Sequence, residues 1–127
     1  MKVSELEGVK LDYWVARANG DFPQVSPNEI ESYCFPPYSS DWSEGGPIID
    51  AHQISLIKEQ QCQEWQACIN PVVDIHAFND GGGVVDPDVW LGGTHLQFGN
   101  TALIAAMRCF VSSKFGEEVD DRQAHHI

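Results

Sequence analysis

The sequence predicts an α+β fold, with helices packed on one antiparallel β-sheet in a single domain. Apolar residues recur at helical spacing near the start of the chain and again near its end. Between these stretches, apolar and polar residues alternate as they do in half-buried strands. Because the helical and strand patterns occupy separate stretches, a layer of helices on one sheet is the simplest arrangement.

The first predicted helix covers residues 4–19. Ser4 and Glu7 have the spacing of a capping box, and apolar residues follow at helical spacing, with a bend allowed by glycine in the first turns. Asn19 and the glycine after it are typical of a helix end. The proline-rich stretch that follows predicts at most one short strand, at residues 31–35.

A short second helix is predicted to begin near residue 40. Ser39, Ser40 and Asp41 are all suitable capping residues, so the cap stays open among the three. Two glycines interrupt the start of this helix, and Pro47 suits a first helical position. We therefore expect a helix that is irregular at its front.

Four alternating runs predict strands at residues 54–56, 65–69, 73–78 and 94–98. The last run leads directly into a helix beginning at Thr101 that is apolar almost all round. A helix of this kind is buried. Arg108 is the charged residue in its middle, so its guanidinium must find a carboxylate, a carbonyl or a ligand.

Length and hydropathy indicate one folded unit. At 127 residues the chain suffices for a single core, which we place at residues 1–116, with a polar, flexible tail at 117–127. The start has no apolar region typical of a signal peptide, and no later stretch approaches ~18 uninterrupted apolar residues. We expect a cytoplasmic protein that does not bind membranes.

Charge and cysteine content exclude several function classes. Nineteen acidic and seven basic side chains give a net charge of -12, which disfavours direct binding to nucleic acid or to an anionic membrane. A basic protein partner fits this charge better. The cysteines have no zinc-knuckle spacing, so we interpret them as plain thiols. They are Cys34, Cys62, Cys68 and Cys109.

Three blocks of sequence carry a family resemblance. They are Leu-Asp-Tyr-Trp-Val-Ala-Arg-Ala-Asn-Gly at 11–20, Tyr-Ser-Ser-Asp-Trp-Ser-Glu-Gly-Gly-Pro-Ile-Ile at 38–49, and Gly-Asn-Thr-Ala-Leu-Ile-Ala-Ala-Met-Arg at 99–108 with Ser-Ser-Lys-Phe-Gly at 112–116. Together they resemble the NinX-like family of small bacteriophage and prophage proteins, and their order is similar to that of phage proteins built as helix-sheet-helix sandwiches. The resemblance implies a phage accessory protein in the cytoplasm of an infected bacterium. It implies no particular activity.

The second and third blocks contain the candidate ligand-binding residues. Aromatic rings there can stack on a planar group, hydroxyls can bond its polar edge, and helix amides or an arginine can bind an anion. The alternative is structural: Asp41 caps a helix and pairs with Arg108, and the two aromatic residues lie in the core. The candidate residues are Tyr38, Ser39, Ser40, Asp41, Trp42, Gly45, Gly46, Asn100, Thr101 and Arg108.

Catalytic chemistry has little support in the sequence. Asp74 and His76 share one face of a predicted strand, but two ligands are too few for a metal site. Cys109 lies in an apolar helix, without the electropositive surroundings that a nucleophilic cysteine needs. We expect neither catalytic residues nor a metal or cofactor.

Two non-enzymatic functions follow from these residues. The first is binding of a small, planar, anionic, nucleotide-like molecule, which a phage would use to sequester a host defence signal; a homo-oligomer would place residues of two chains around one ligand. The alternative is an acidic protein that binds and inhibits or adapts a host protein, such as a DNA-binding one. The family-resemblance residues favour the first.

Overall fold

A computed structural model of the protein describes residues 1–20, 35–58, 63–70 and 93–119. These residues form an α+β arrangement of helices packed on a three-stranded antiparallel sheet, which confirms the predicted fold class. In chain order the elements are a 3₁₀ turn at Val3–Glu5, α1 at Gly8–Ala18, α2 at Trp42–His52, β1 at Ser55–Ile57, β2 at Trp65–Ile69, β3 at Thr94–Gly99 and α3 at Ala102–Phe115.

Helix α1 begins four residues later than predicted. Gly8 has a φ of 59°, a left-handed conformation that glycine adopts without strain, and it separates the helix from the preceding 3₁₀ turn. Glu7 is the N-cap residue, but no side-chain capping bond forms there, so the predicted capping box is wrong. The helix ends as predicted, where the Asn19 amide donates to the Val15 carbonyl at 2.8 Å.

Helix α2 begins directly after Asp41, one of the three predicted caps. The Asp41 carboxylate accepts from the Ser43 amide at 2.9 Å and from the Ser43 hydroxyl at 2.7 Å. Because this cap starts the helix at Trp42, Pro47 lies inside the helix and not at its first position, which corrects the prediction. Gln53, with a φ of 53°, ends the helix in a left-handed conformation.

Among the described residues the sheet has the strand order β1-β2-β3, so β3 lies at an edge of this three-stranded sheet. Ala67 on β2 pairs with Leu56 on one side and with Gln97 on the other, and the register shifts between Ala67 and Ile69. Three of the predicted strands are thus confirmed, with small changes at their ends. The predicted strand at 73–78 and residues 31–34 of the earlier one lie outside the described residues, and Phe35 is not in a strand.

Helix α3 lies at the centre of the molecule and contacts every other described element. Its side chains are buried on most sides, as the apolar pattern predicts. The Thr101 hydroxyl caps it by accepting from the Ile104 amide at 3.1 Å. A Cβ at Gly99 would lie 2.6 Å from the Ala105 nitrogen, so only glycine lets the end of β3 approach the helix this closely.

The first and last described segments pair with each other. The Val3 amide donates to the Glu117 carbonyl, and the Val119 amide donates to the Met1 carbonyl, both at 2.9 Å. Lys2 and Glu118 lie opposite each other in an antiparallel bridge, and Val119 is buried in the core. Residues 117–119 therefore differ from the flexible tail predicted at 117–127, and the rest of that tail lies outside the described residues.

Candidate functional site

The start of α2 packs against the first turn of α3, so two of the sequence blocks meet in space. A Cβ at Gly45 would overlap the Tyr38 carbonyl oxygen and lie 2.7 Å from Cδ2 of Leu103. This close approach brings the candidate residues of 38–46 next to those of 100–101. We call this region the helix junction.

Several hydrogen-bonding groups of the junction already have partners within the fold. The Ser39 amide donates to the Asp12 carboxylate at 2.9 Å, while Asp41 and Thr101 cap the two helices. Tyr38 is buried in the core, only 6% exposed. The polar groups that make these bonds support the two helices and are not free to bind a ligand.

A second set of predicted residues is accessible at the junction. Trp42 is 57% exposed, the most exposed of the large apolar side chains in the described chain, and Ser40 and Asn100 are exposed as well. There is open space beside Gly46, because the nearest atom that an added Cβ would meet there is the Trp42 ring carbon Cε3, at 4.0 Å. The junction therefore presents an indole ring and a few polar groups to solvent.

The electrostatics of the junction oppose an anion. Hydrogen bonds from the Ser43 hydroxyl and amide lower the pKa of Asp41, so its carboxylate is ionised at neutral pH. Glu44 adds a second carboxylate in the first turn of α2. The amides at this helix start are thus accompanied by negative side chains, which disfavour a phosphate there.

Arg108 serves a different part of the molecule. Its Nε donates to the Leu6 carbonyl at 2.8 Å and its Nη1 donates to the Phe98 carbonyl at 2.7 Å. Burial lowers the pKa of Arg108, whereas the charges of Glu7 and Glu64 act to raise it. The predicted pair with Asp41 does not form, because backbone carbonyls satisfy the guanidinium. Arg108 ties the N-terminal segment, β3 and α3 together.

Asp12 is a buried acid that sequence reasoning missed. It is 8% exposed, and it accepts the Ser39 amide across a long sequence separation. Burial raises the pKa of Asp12, while its hydrogen bonds to Ser39 oppose that rise. The helical spacing placed only one face of α1 in the core, but all residues from Leu11 to Ala16 are buried. The sequence signal for a buried acid was the position of Asp12 inside an otherwise apolar stretch of α1.

A groove of about 350 Å³ lies beside β3, and none of the predicted ligand residues lines it. Leu96 and Phe98 line it and are 37% and 41% exposed. We call it the β3 groove, and its lining residues are Lys2, Ser4, Leu96, Gln97, Phe98, Glu117 and Glu118. Sequence reasoning missed it because three distant segments build it.

The two cysteines in the described residues, Cys68 and Cys109, are free and buried. Burial raises the pKa of Cys68, and burial together with Cys68 raises the pKa of Cys109 to about 12. Such thiols are poor nucleophiles.

Within the described ranges, no group of three or more His, Cys, Asp or Glu side chains is arranged to hold a metal ion. Asp74 and His76 lie outside those ranges, as do Cys34 and Cys62.

The family comparison covers most of the chain. The family described as bacteriophage P22 NinX matches residues 2–114. The chain belongs to the NinX family. A comparison with curated proteins gives no match. As a NinX family member the chain is a phage accessory protein, and none of the helices in its described part is long and apolar enough to cross a membrane.

Proposed function

We propose that this NinX family protein acts without catalysis, by binding a basic segment of a host protein at the β3 groove. One observation carries the proposal: Leu96 and Phe98 are exposed on β3, the edge strand of the described sheet, and line one groove with Glu117 and Glu118. Apolar side chains next to carboxylates suit a partner that offers both apolar and cationic groups. This was the alternative function in the sequence analysis, and the geometry favours it over ligand capture.

The chemistry of the groove favours lysine or arginine side chains. Their long apolar stems can cover Leu96 and Phe98 while their charged ends reach the acidic side of the groove. Glu117 and Glu118 line the groove together with a single lysine, Lys2, so negative charge predominates in the lining. At -12, the net charge of the whole chain attracts a basic partner at long range and speeds association. A groove of about 350 Å³ has room for one or two such side chains.

Capture of a small planar ligand is a second candidate function. It is favoured by the exposed Trp42 ring at the junction where two family blocks meet. A nucleotide-like base would stack on this ring, and a phage would use the binding to sequester a host defence signal. Because Asp41 and Glu44 repel phosphate, the anionic end of such a ligand needs a cation from outside the junction. A second copy of the chain in a homo-oligomer would supply one.

Photo-crosslinking in infected bacteria tests the two candidates side by side. A benzophenone analogue of phenylalanine replaces Phe98 in one chain and Trp42 in a matched chain, since both side chains are exposed. We expect the chain labelled at 98 to crosslink one host protein that the chain labelled at 42 does not capture. Crosslinks only to a second copy, or to the same proteins at both positions, overturn the proposal.

Salt and charge variants then test the chemistry of the complex. With the captured partner purified, Glu117→Gln together with Glu118→Gln should weaken binding and flatten its salt dependence. Trp42→Ala is the matched control and should leave this binding unchanged.

The ligand hypothesis is tested separately by heating the purified protein and examining the released small molecules by mass spectrometry. A planar compound released by the native chain and absent from Trp42→Ala supports it.

A further inference from the structure

The β3 groove follows the backbone edge of β3. Leu96, Gln97 and Phe98 are consecutive residues, and all three line the groove. Side chains of successive strand residues point to opposite faces of a sheet, and burial follows this alternation here, since Gln97 is buried between two exposed neighbours. A groove that all three residues share therefore lies along the edge of the strand, where the backbone is accessible.

The register of the sheet directs two backbone groups of β3 toward this edge. Gln97 pairs with Ala67 of β2. The Phe98 carbonyl accepts from Nη1 of Arg108 at 2.7 Å, so Phe98 faces away from β2 and Gln97, its neighbour, faces toward β2. Because the C=O and N–H of one trans peptide unit point in opposite directions, the Leu96 carbonyl and the Phe98 amide both point outward. Within the described residues, no hydrogen bond from outside the sheet engages either group.

The opposite wall of the groove is a second piece of paired backbone. Lys2 and Glu118 face each other in an antiparallel bridge, and Ser4 and Glu117 line the groove beside them. The groove thus separates the edge of β3 from the paired ends of the described chain. A helix bonds its own N–H and C=O groups internally, whereas an extended segment can offer both to the edge of a strand.

We propose that the basic partner segment binds as an added strand along β3, an inference that rests on the proposed function. Its backbone donates to the Leu96 carbonyl and accepts from the Phe98 amide, and these bonds hold it beside the exposed side chains. Lysine or arginine at alternate positions reaches Glu117 and Glu118, and β-branched residues between them favour the extended form. The segment has no proline at a pairing position, since proline lacks the N–H that pairing requires.

Hydrogen exchange in the full ¹⁵N-labelled chain tests this mode of binding. The probe is a short peptide of alternating lysine and valine with blocked ends. When about nine chains in ten hold the peptide, exchange of the Phe98 amide should slow about tenfold, because only the free chain then exchanges it. The amide of Gln97 faces β2, so it is the matched control and should exchange at the same rate with and without peptide.

A second peptide separates backbone pairing from charge. It has the same sequence but carries N-methyl groups on one central valine and on the lysine beside it, so both of its edges lose a donor. Its affinity should fall about tenfold or more. If both peptides bind equally, or if the first binds without slowing exchange at Phe98, the added strand is wrong while a basic partner at the groove still stands. Failure of the first peptide to bind also overturns the added strand, and crosslinking from position 98 then decides the proposed function independently.

Discussion

Arg108 permits a quantitative prediction about stability. We consider Arg108→Met, which keeps most of the aliphatic packing and removes the guanidinium. Two hydrogen bonds from an ionised donor are lost, to the carbonyls of Leu6 and Phe98. Bonds of this kind contribute ~1.5–3 kcal/mol each. Because the side chain is half-buried, water can partly replace them, and the expected loss is ~3 kcal/mol in the free energy of unfolding.

Urea unfolding measures this loss, and Lys114→Met is the matched control. Lys114 is an exposed cation in the last turn of the same helix, so its replacement should change stability by no more than ~0.5 kcal/mol. Hydrogen exchange adds a local readout, since the amides of Val3–Leu6 should lose protection once the Leu6 carbonyl is released. If Arg108→Met unfolds at the same urea concentration as the control, Arg108 does not hold these segments together.

Three further predictions concern packing, pH and thiol reactivity. Gly45→Ala should lower the free energy of unfolding by ~1–3 kcal/mol through overpacking, whereas Gly46→Ala should raise it by ~0.5–1 kcal/mol. Urea unfolding measures both changes, and equal urea midpoints for the two variants would contradict this prediction. Because burial raises the pKa of Asp12, the folded state binds its proton more tightly than the unfolded chain. As the pH falls through that raised pKa, the native chain should therefore gain stability relative to Asp12→Asn. If urea unfolding shows the same pH dependence of stability for the native chain and for Asp12→Asn, the prediction is wrong. Cys109, with a pKa of about 12, should resist a thiol reagent at pH 8 until the chain unfolds, as mass spectrometry of the modified protein can show; rapid labelling of the folded chain would exclude its burial.

Local patterns predicted most of the described fold. The alternation around Trp65–Ile69 and the apolar run after Thr101 are strong, short-range signals, and both elements formed where expected. The errors occurred at element boundaries. Gly8 adopts a left-handed conformation that breaks the first helix, and Asp41 starts the second helix ahead of Pro47. In both cases the geometry of a single residue decided between alternatives that the pattern allowed.

The candidate site was harder to predict because it depends on distant contacts. The sequence indicated that Arg108 needs an acceptor. Its acceptors are the backbone carbonyls of Leu6 and Phe98, and because every residue has a backbone carbonyl, the sequence pattern could not identify these two. The partnership of Asp12 with Ser39 likewise joins segments far apart in the chain. Resemblance placed the chain in its family, whereas the roles of individual side chains required the fold.

The central position of α3 has a consequence for how the protein is made. During synthesis, α1 and the strands are completed before the helix against which they pack. Until residue 115 has been added, the ring of Trp14 lacks its contact with Phe115, and the apolar faces of the other elements are unburied. Because these contacts join distant residues, we expect folding to be a late, cooperative event. A chain that stops before residue 102 lacks the helix against which the other described elements pack, and we expect cellular proteases to degrade it.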